Sequence, residues 1–130
     1  MDAKIIKFIK KQHILSLCVS DENEIWVCSC FYAYNEDLNS LIIASDSHTK
    51  HIKIIQKNPK VAVNIALDTK IIGLIKGIQA KGEIYPCKNK MPYFKRFPYA
   101  MAINPDLYEI RLNYIKYTDN ALKKKLIWQI

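Results

Sequence analysis

The spacing of hydrophobic positions changes several times along the chain, and each change marks an element. Between Asp2 and Gln12, Ile5, Ile6, Phe8 and Ile9 recur at intervals of three and four, with Lys4, Lys7, Lys10 and Lys11 between them. That pattern predicts an amphipathic helix with Asp2 as its N-cap. Segments 14–20, 25–34 and 40–45 are rich in β-branched and aromatic residues and are separated by the polar breaks 21–24 and 35–39, which predicts an antiparallel meander. A second helix of about three turns is predicted from a cap at Asp46 or Ser47 to Asn58, because Pro59 disfavours helix in the residue before it.

Segment 60–67 alternates, with Val61, Val63, Ile65 and Leu67 on one face and the smaller Ala62, Asn64 and Ala66 on the other, so something bulky can approach that second face. Segment 74–85 continues the alternation, with Gly77 and Gly82 as kinks suited to a curved sheet. A short helix is predicted over 91–97, ended by Pro98, and a loop over 100–106. In the strand predicted over 107–117 the apolar phase slips from Leu112 and Tyr114 to Ile115 and Tyr117, which predicts a β-bulge near Tyr114. Six strands, two or three short helices and no βαβ rhythm predict a mainly β fold. It is a closed or nearly closed six-stranded antiparallel barrel with helices at its rim, in a single domain over 1–130.

Composition narrows the possible functions. The chain has 130 residues, half of them hydrophobic, enough for a core that needs no disulfide or metal staple. Twenty Lys and Arg against twelve Asp and Glu give a net charge of +8, which allows an anionic partner without naming one. The three glycines, Gly73, Gly77 and Gly82, are too few and wrongly placed for a P-loop or a dinucleotide-binding loop. The apolar run 14–19 is too short for a secretory signal core, and no run approaches the ~18 residues that cross a membrane. The expectation is a cytoplasmic protein, with Cys18, Cys28, Cys30 and Cys87 as reduced thiols.

Cys28 and Cys30 share one face of a strand, but no second pair completes a zinc site, and both read as small buried hydrophobes. His48 and His51, three apart beside Asp46, lack a third ligand, so no metal is assigned. No hydrolytic motif is present. Phe31, Tyr32, Tyr34, Tyr85 and Tyr93 among many lysines do not form an RNA-binding strand signature, and no nucleic-acid partner is expected. The most suggestive local feature is the run Ser45-Asp46-Ser47-His48-Thr49-Lys50-His51 at a strand-to-helix junction. There, hydroxyls, a lysine and unpaired first-turn N–H groups make an anion site.

Several stretches together resemble one family. Residues 11–19, Cys28-Ser29-Cys30-Phe31-Tyr32, and Ser45 to His51 followed by Asn58-Pro59-Lys60-Val61-Ala62-Val63 are similar to the pyridoxamine 5′-phosphate oxidase-like FMN-binding split barrels. Residues 74–84, Arg96-Phe97-Pro98, Tyr108-Glu109-Ile110-Arg111-Leu112, residues 115–120 and Ile127-Trp128 resemble its small bacterial YhbP-like branch. The resemblance implies a homodimeric six-stranded split barrel with FMN in the crevice between subunits. It places the phosphate on Ser45, Thr49, Lys50 and His51, and the flavin ring beside Ser29, Cys30 and Phe31. Gln79 lies on a strand that approaches the flavin, and Trp128 reaches across from the other subunit.

Two departures from the oxidases qualify what the resemblance implies. Basic residues that hold the phosphate on their second strand are replaced at about Ser29 and Tyr34, and the residues that bind pyridoxal have no match in 123–128. The expectation is therefore a flavin-dependent oxidoreductase on a small-molecule substrate, not a vitamin B6 oxidase, with no catalytic acid or base assigned. The alternative is a non-catalytic flavin- or haem-type binding module that uses the same dimer crevice.

Overall fold

A computed structural model describes residues 1–130. Helix α1 (Ala3–Lys11) precedes strands β1 (Ile14–Ser20), β2 (Ile25–Asn35) and β3 (Ser40–Ala44). Helix α2 (Lys50–Lys57) and β4 (Lys60–Ala66) follow, then a 3-10 turn (Ile72–Leu74) and β5 (Lys76–Pro86). Helices α3 (Met91–Arg96) and α4 (Ala100–Ile103) precede β6 (Leu107–Asp119) and β7 (Lys124–Gln129). Asp2 caps α1 as its position predicts, its carboxylate accepting from the Lys4 N–H at 2.8 Å. The apolar stripe puts Ile5, Phe8 and Ile9 into the core.

All strand pairs are antiparallel, in the order β3-β2-β1-β4-β5-β6-β7, and β3 returns to pair with β6. That last pairing closes six strands into the predicted barrel. Strand β6 makes closure possible because it is long: β5 runs along one edge, while the other edge is divided between β3 at residues 107–111 and β7 at 114–119. The division needs a kink, which falls at Asn113. Lys81 pairs with Tyr114 and Gly82 with Leu112, so Asn113 is the extra residue of a bulge. Ile110 and Leu112 before it and Ile115 and Tyr117 after it all reach the core. Tyr114, predicted to share the face of Leu112, instead turns outward, its ring 5.1 Å from the Lys81 ammonium.

The core is one cluster of 23 buried residues inside the barrel, and a smaller one forms where Ala33, Ile42, Cys87, Tyr93 and Leu107 meet under α3. Each completely buried isoleucine among them contributes roughly 1.5–3 kcal/mol. The strand glycines sit where backbones nearly touch: a Cβ on Gly82 would lie 2.1 Å from the Arg111 carbonyl oxygen, and one on Gly77 2.6 Å from that of Ile65.

The structure corrects four details. The tail 124–129, outside the six predicted strands, is a seventh strand, because β6 offers it an unpaired edge. Residues 100–103 are a helical turn inside the predicted loop, stopped by Asn104 at φ 48°. Strand β5 starts at Lys76, after the 3-10 turn. Helix α2 starts at Lys50, not 46–48, because the Asp46 carboxylate accepts the His48 N–H and shapes a turn ahead of it.

One residue without a role in the sequence reading ties these elements together. From the end of α3, the Arg96 guanidinium donates to the carbonyls of Tyr32 at 3.1 Å, Lys10 at 3.2 Å and Gln12. It thereby satisfies the C-terminal carbonyls of α1 and grips β2 in the same fork.

Candidate functional site

The β3–α2 junction is built by two opposing demands on the backbone. The Ser45 N–H is anchored to the Asp106 carbonyl at 3.1 Å, extending the β3–β6 edge by one bond, after which the chain turns into α2. Thr49 occupies the N-cap with extended backbone, yet its hydroxyl donates to the Asp46 carbonyl at 2.8 Å and makes no capping bond. The leading N–H groups of α2 therefore have no side-chain acceptor, and the positive end of the helix dipole is uncovered. Ser45 Oγ lies 2.8 Å from His51 Nε2, and Thr49 Oγ1 lies 3.3 Å from it. Burial holds the His51 imidazole below its ordinary pKa and so favours the neutral ring.

His48 behaves differently, because it precedes the helix. Its side chain is exposed and paired only with the Asp46 carboxylate at 3.0 Å. The two histidines therefore do not act as a pair. The His48 backbone N–H holds the Asp46 carboxyl below the usual carboxylate range. Asp46 and Asp106 line a 490 Å³ cavity on the α4 side of Ser45, a side that repels anions.

Lys50 opens α2 but is turned toward the β1–β2 hairpin. Its ammonium lies 2.8 Å from Glu24 and 4.1 Å from the centre of the Trp26 ring. Trp26, Cys28, Cys30 and Tyr32 share the inward face of β2, and this alternation brings Cys30 toward Ser45 and His51. The two sulfurs are 3.9 Å apart. The hydrogen bond between them pulls the pair in opposite directions, lowering the Cys30 thiol and raising Cys28 well above the usual range. No cysteine is in a disulfide.

Ser29 and Phe31 face outward on the same strand, where Phe31 is exposed and meets Phe97 edge-on at 5.8 Å. The register sets Ser29, Ser16, Asn64, Gln79 and Lys116 side by side, a polar row crossing five strands of the outer face. Two shallow troughs of 360 and 440 Å³ meet along it at Asn64 and Gln79. The first is floored by Ser16 and Cys18 of β1 and by Ala62 and Asn64 of the small face predicted for β4.

Of the residues singled out from sequence, Ser45, Thr49, His51 and Cys30 thus converge. Lys50 is beside them but engaged elsewhere. Ser29 and Gln79 share the outer row, three strand intervals or about 14 Å apart. Trp128 pairs with Ile115, eight residues along β6 from the Leu107–Ala44 pair that abuts Ser45, so it lies about 25 Å away within one chain and packs on the core.

This architecture, a six-stranded antiparallel barrel with an added strand, recurs in solved structures. A haem-binding protein from Mycobacterium smegmatis superposes with a TM-score of 0.74 at 8% identity, over 94% of this chain and 55% of that one. A FAD-binding protein from Mesorhizobium loti gives 0.68 at 15% identity, over 88% and 90%. HutZ, a haem storage protein from Vibrio cholerae, gives 0.69 at 14% identity, over 86% and 89%. At such identities the likeness is one of fold, and the fold is the split barrel. No protein-family model matches the chain. Whole-length relatives are closer in sequence: the UPF0306 protein of Yersinia enterocolitica is 36% identical over 132 residues, covering 95% of this chain and 90% of that protein. That of Photorhabdus laumondii is 38% identical over 133 residues, covering 96% and 93%. The chain belongs to the UPF0306 family.

Proposed function

We propose that the protein binds a flavin, FMN, in a crevice between two copies of the chain, with the phosphate seated at the β3–α2 junction. The observation that carries this reading is the uncapped start of α2. Because the Thr49 hydroxyl is committed to Asp46, the helix presents open N–H donors beside Ser45 and His51. An anion there completes what the cap leaves unpaired. The carboxylates of Asp46 and Asp106 direct it to the α2 side of Ser45. Resemblance to the FMN-binding split barrels puts the phosphate on Ser45, Thr49, Lys50 and His51, the same junction, where Lys50 must leave Glu24 to reach it.

The ring then lies along Ser29, Cys30 and Phe31, with Gln79 on the outer row beyond. Distance within one chain requires that any Trp128 at the ring be the partner subunit's Trp128. The outer face supports pairing of two copies: Ile14, Val27 and Phe31 are exposed there beside the small residues that floor the trough. Bound flavin supplies hydride chemistry, and the protein supplies anchoring, orientation and exclusion of water. Oxidoreductase activity on a small molecule is the expected use.

A second reading, a haem-type binding module, is favoured by one observation: His51 is a half-buried imidazole kept neutral, the form that ligates iron. It also fits the haem-binding fold neighbours. The test is the visible spectrum of the purified protein after incubation with FMN or with haemin, followed by desalting. Retained FMN that NADH or NADPH reduces supports the flavin enzyme, and retained haem with no retained FMN selects the second reading. Loss of both ligands overturns the crevice as a cofactor site.

A further inference from the structure

We propose that Cys28, Cys30 and His51 bind a thiophilic divalent ion of the Zn2+ class, with three protein donors and a fourth position left for water. The donor atoms of the three residues all lie within 4.8 Å of one another, brought together from β2 and the first turn of α2. Two thiolates on one tetrahedral zinc, each about 2.3 Å from the ion, stand about 3.8 Å apart. The sulfurs here are 3.9 Å apart before any ion is bound. Closing the site therefore needs movement chiefly of the imidazole, by rotation about its side-chain torsions, and not of the sheet.

The competing use of the pair, a disulfide, is disfavoured by the strand itself. Residues i and i+2 on one strand face have Cα atoms about 6.6–6.8 Å apart, at the limit of disulfide geometry. Apart from one another, the donors have only hydroxyl partners. The thiols bond to each other, Ser45 also reaches Cys30, and Ser45 and Thr49 lie 2.8 and 3.3 Å from His51 Nε2, outer partners that orient a metal-bound histidine through one nitrogen and leave Nδ1 for the ion. Two thiolates neutralise a divalent cation, which suits a half-buried site. Binding releases the two thiol protons to solvent and changes no oxidation state.

The inference does not rest on the flavin reading, and its test uses flavin-free, reduced full-length protein with the metal alone. Titration with Co2+ is expected to give one ion per chain, the near-ultraviolet charge-transfer band of cobalt–thiolate bonds, and the intense visible bands of a four-coordinate ion. Trp26, on the same strand face two residues from Cys28, should be quenched, and Zn2+ should displace the cobalt. Loss of an outer-shell partner costs 10–100-fold in metal affinity, so Cys28→Ser and His51→Gln, which remove direct donors, should each weaken binding by more than about 100-fold. The double variant Cys18→Ser, Cys87→Ser should bind as the parent does. If Cys28→Ser fails to fold, His51→Gln carries the comparison, because its ring is partly exposed. No thiolate band in the parent, or parent-like binding by His51→Gln, overturns the site and leaves the flavin reading standing.

Discussion

Arg96 is the residue whose replacement should cost the most for its exposure. Its fork donates to three main-chain carbonyls, those of Lys10, Gln12 and Tyr32, while its Cζ lies 5.3 Å from the Tyr32 ring centre and 5.7 Å from that of Phe97. A hydrogen bond from a charged donor contributes roughly 1.5–3 kcal/mol, and each cation–π contact about 0.5–1 kcal/mol. These do not sum, because the Lys10 carbonyl lies where water replaces the lost donor. The Tyr32 carbonyl is deeper, and the end of α1 loses its cap. For Arg96→Met we expect a loss of about 3 kcal/mol, or roughly 10 °C in Tm for a chain of this length. Urea denaturation followed by tryptophan fluorescence measures it, with an unchanged slope showing that the unfolded state is not what changed. Arg96→Lys keeps the charge but reaches one carbonyl at a time, so it should recover less than half. A loss below about 0.5 kcal/mol for Arg96→Met, or full recovery by Arg96→Lys, would refute the account.

Four further outcomes are expected. Glu24→Gln frees the Lys50 ammonium and should tighten FMN binding, whereas Lys50→Ala should weaken it; isothermal titration with FMN reads both, and weaker binding in Glu24→Gln or parent-like binding in Lys50→Ala removes Lys50 from the phosphate site. Because the His51 pKa is lowered in the folded state, the unfolded chain binds the extra proton. That contribution to stability is complete above the ordinary imidazole value of about 6.5 and is lost as pH falls below it. Denaturation midpoints of His51→Gln between pH 7 and 5 should therefore fall less steeply than the parent's, and parallel curves would reject the assignment. Gly82→Ala should destabilise by more than about 1–3 kcal/mol, since its methyl meets main chain that cannot step aside, and a neutral thermal melt would contradict that packing. If two copies pair through the outer face as proposed, Val27→Lys should lower the mass to that of one chain in light scattering at low concentration; a monomeric parent overturns the pairing, and a variant that stays dimeric places the interface elsewhere.

The barrel was legible because its strands are half-buried and write their two faces into the sequence. The alternation of Val61, Val63 and Ile65 survives intact as the core face of β4, and even the slip after Leu112 marks a real extra residue, Asn113. Strand β7 was not legible for the complementary reason. Residues 124–129 carry no buried position, and only half-bury Leu126 and Trp128, so their strand character comes from the free edge of β6 and not from their own pattern. The start of α2 failed similarly. Asp46, Ser47 and Thr49 are all capping types, and the choice among them is made by the Asp46 turn and by the bond that anchors Ser45 to Asp106, a partner 61 residues away.

The same division explains the site. A local motif can announce an anion-binding junction, because hydroxyls and open N–H groups follow one another within seven residues, and Ser45, Thr49 and His51 do meet there. Charge cannot be read the same way. Lys50 looked like the phosphate ligand by position, but Glu24, 26 residues earlier, reaches it across the hairpin, and a lysine shared between two anions belongs to the nearer one until a ligand outbids it. Metal ligation was hidden for the same reason in reverse. Cys28 and Cys30 are legible on one face of a strand, but no third donor lies near them in sequence; the β2–β3 register carries the start of α2, and with it His51, over Cys30. Chemistry carried by adjacent residues is visible before folding. Chemistry that depends on which strand closes against which helix becomes visible only afterwards, and in a closed sheet that second kind is concentrated at the rim, where β2, β3 and α2 meet.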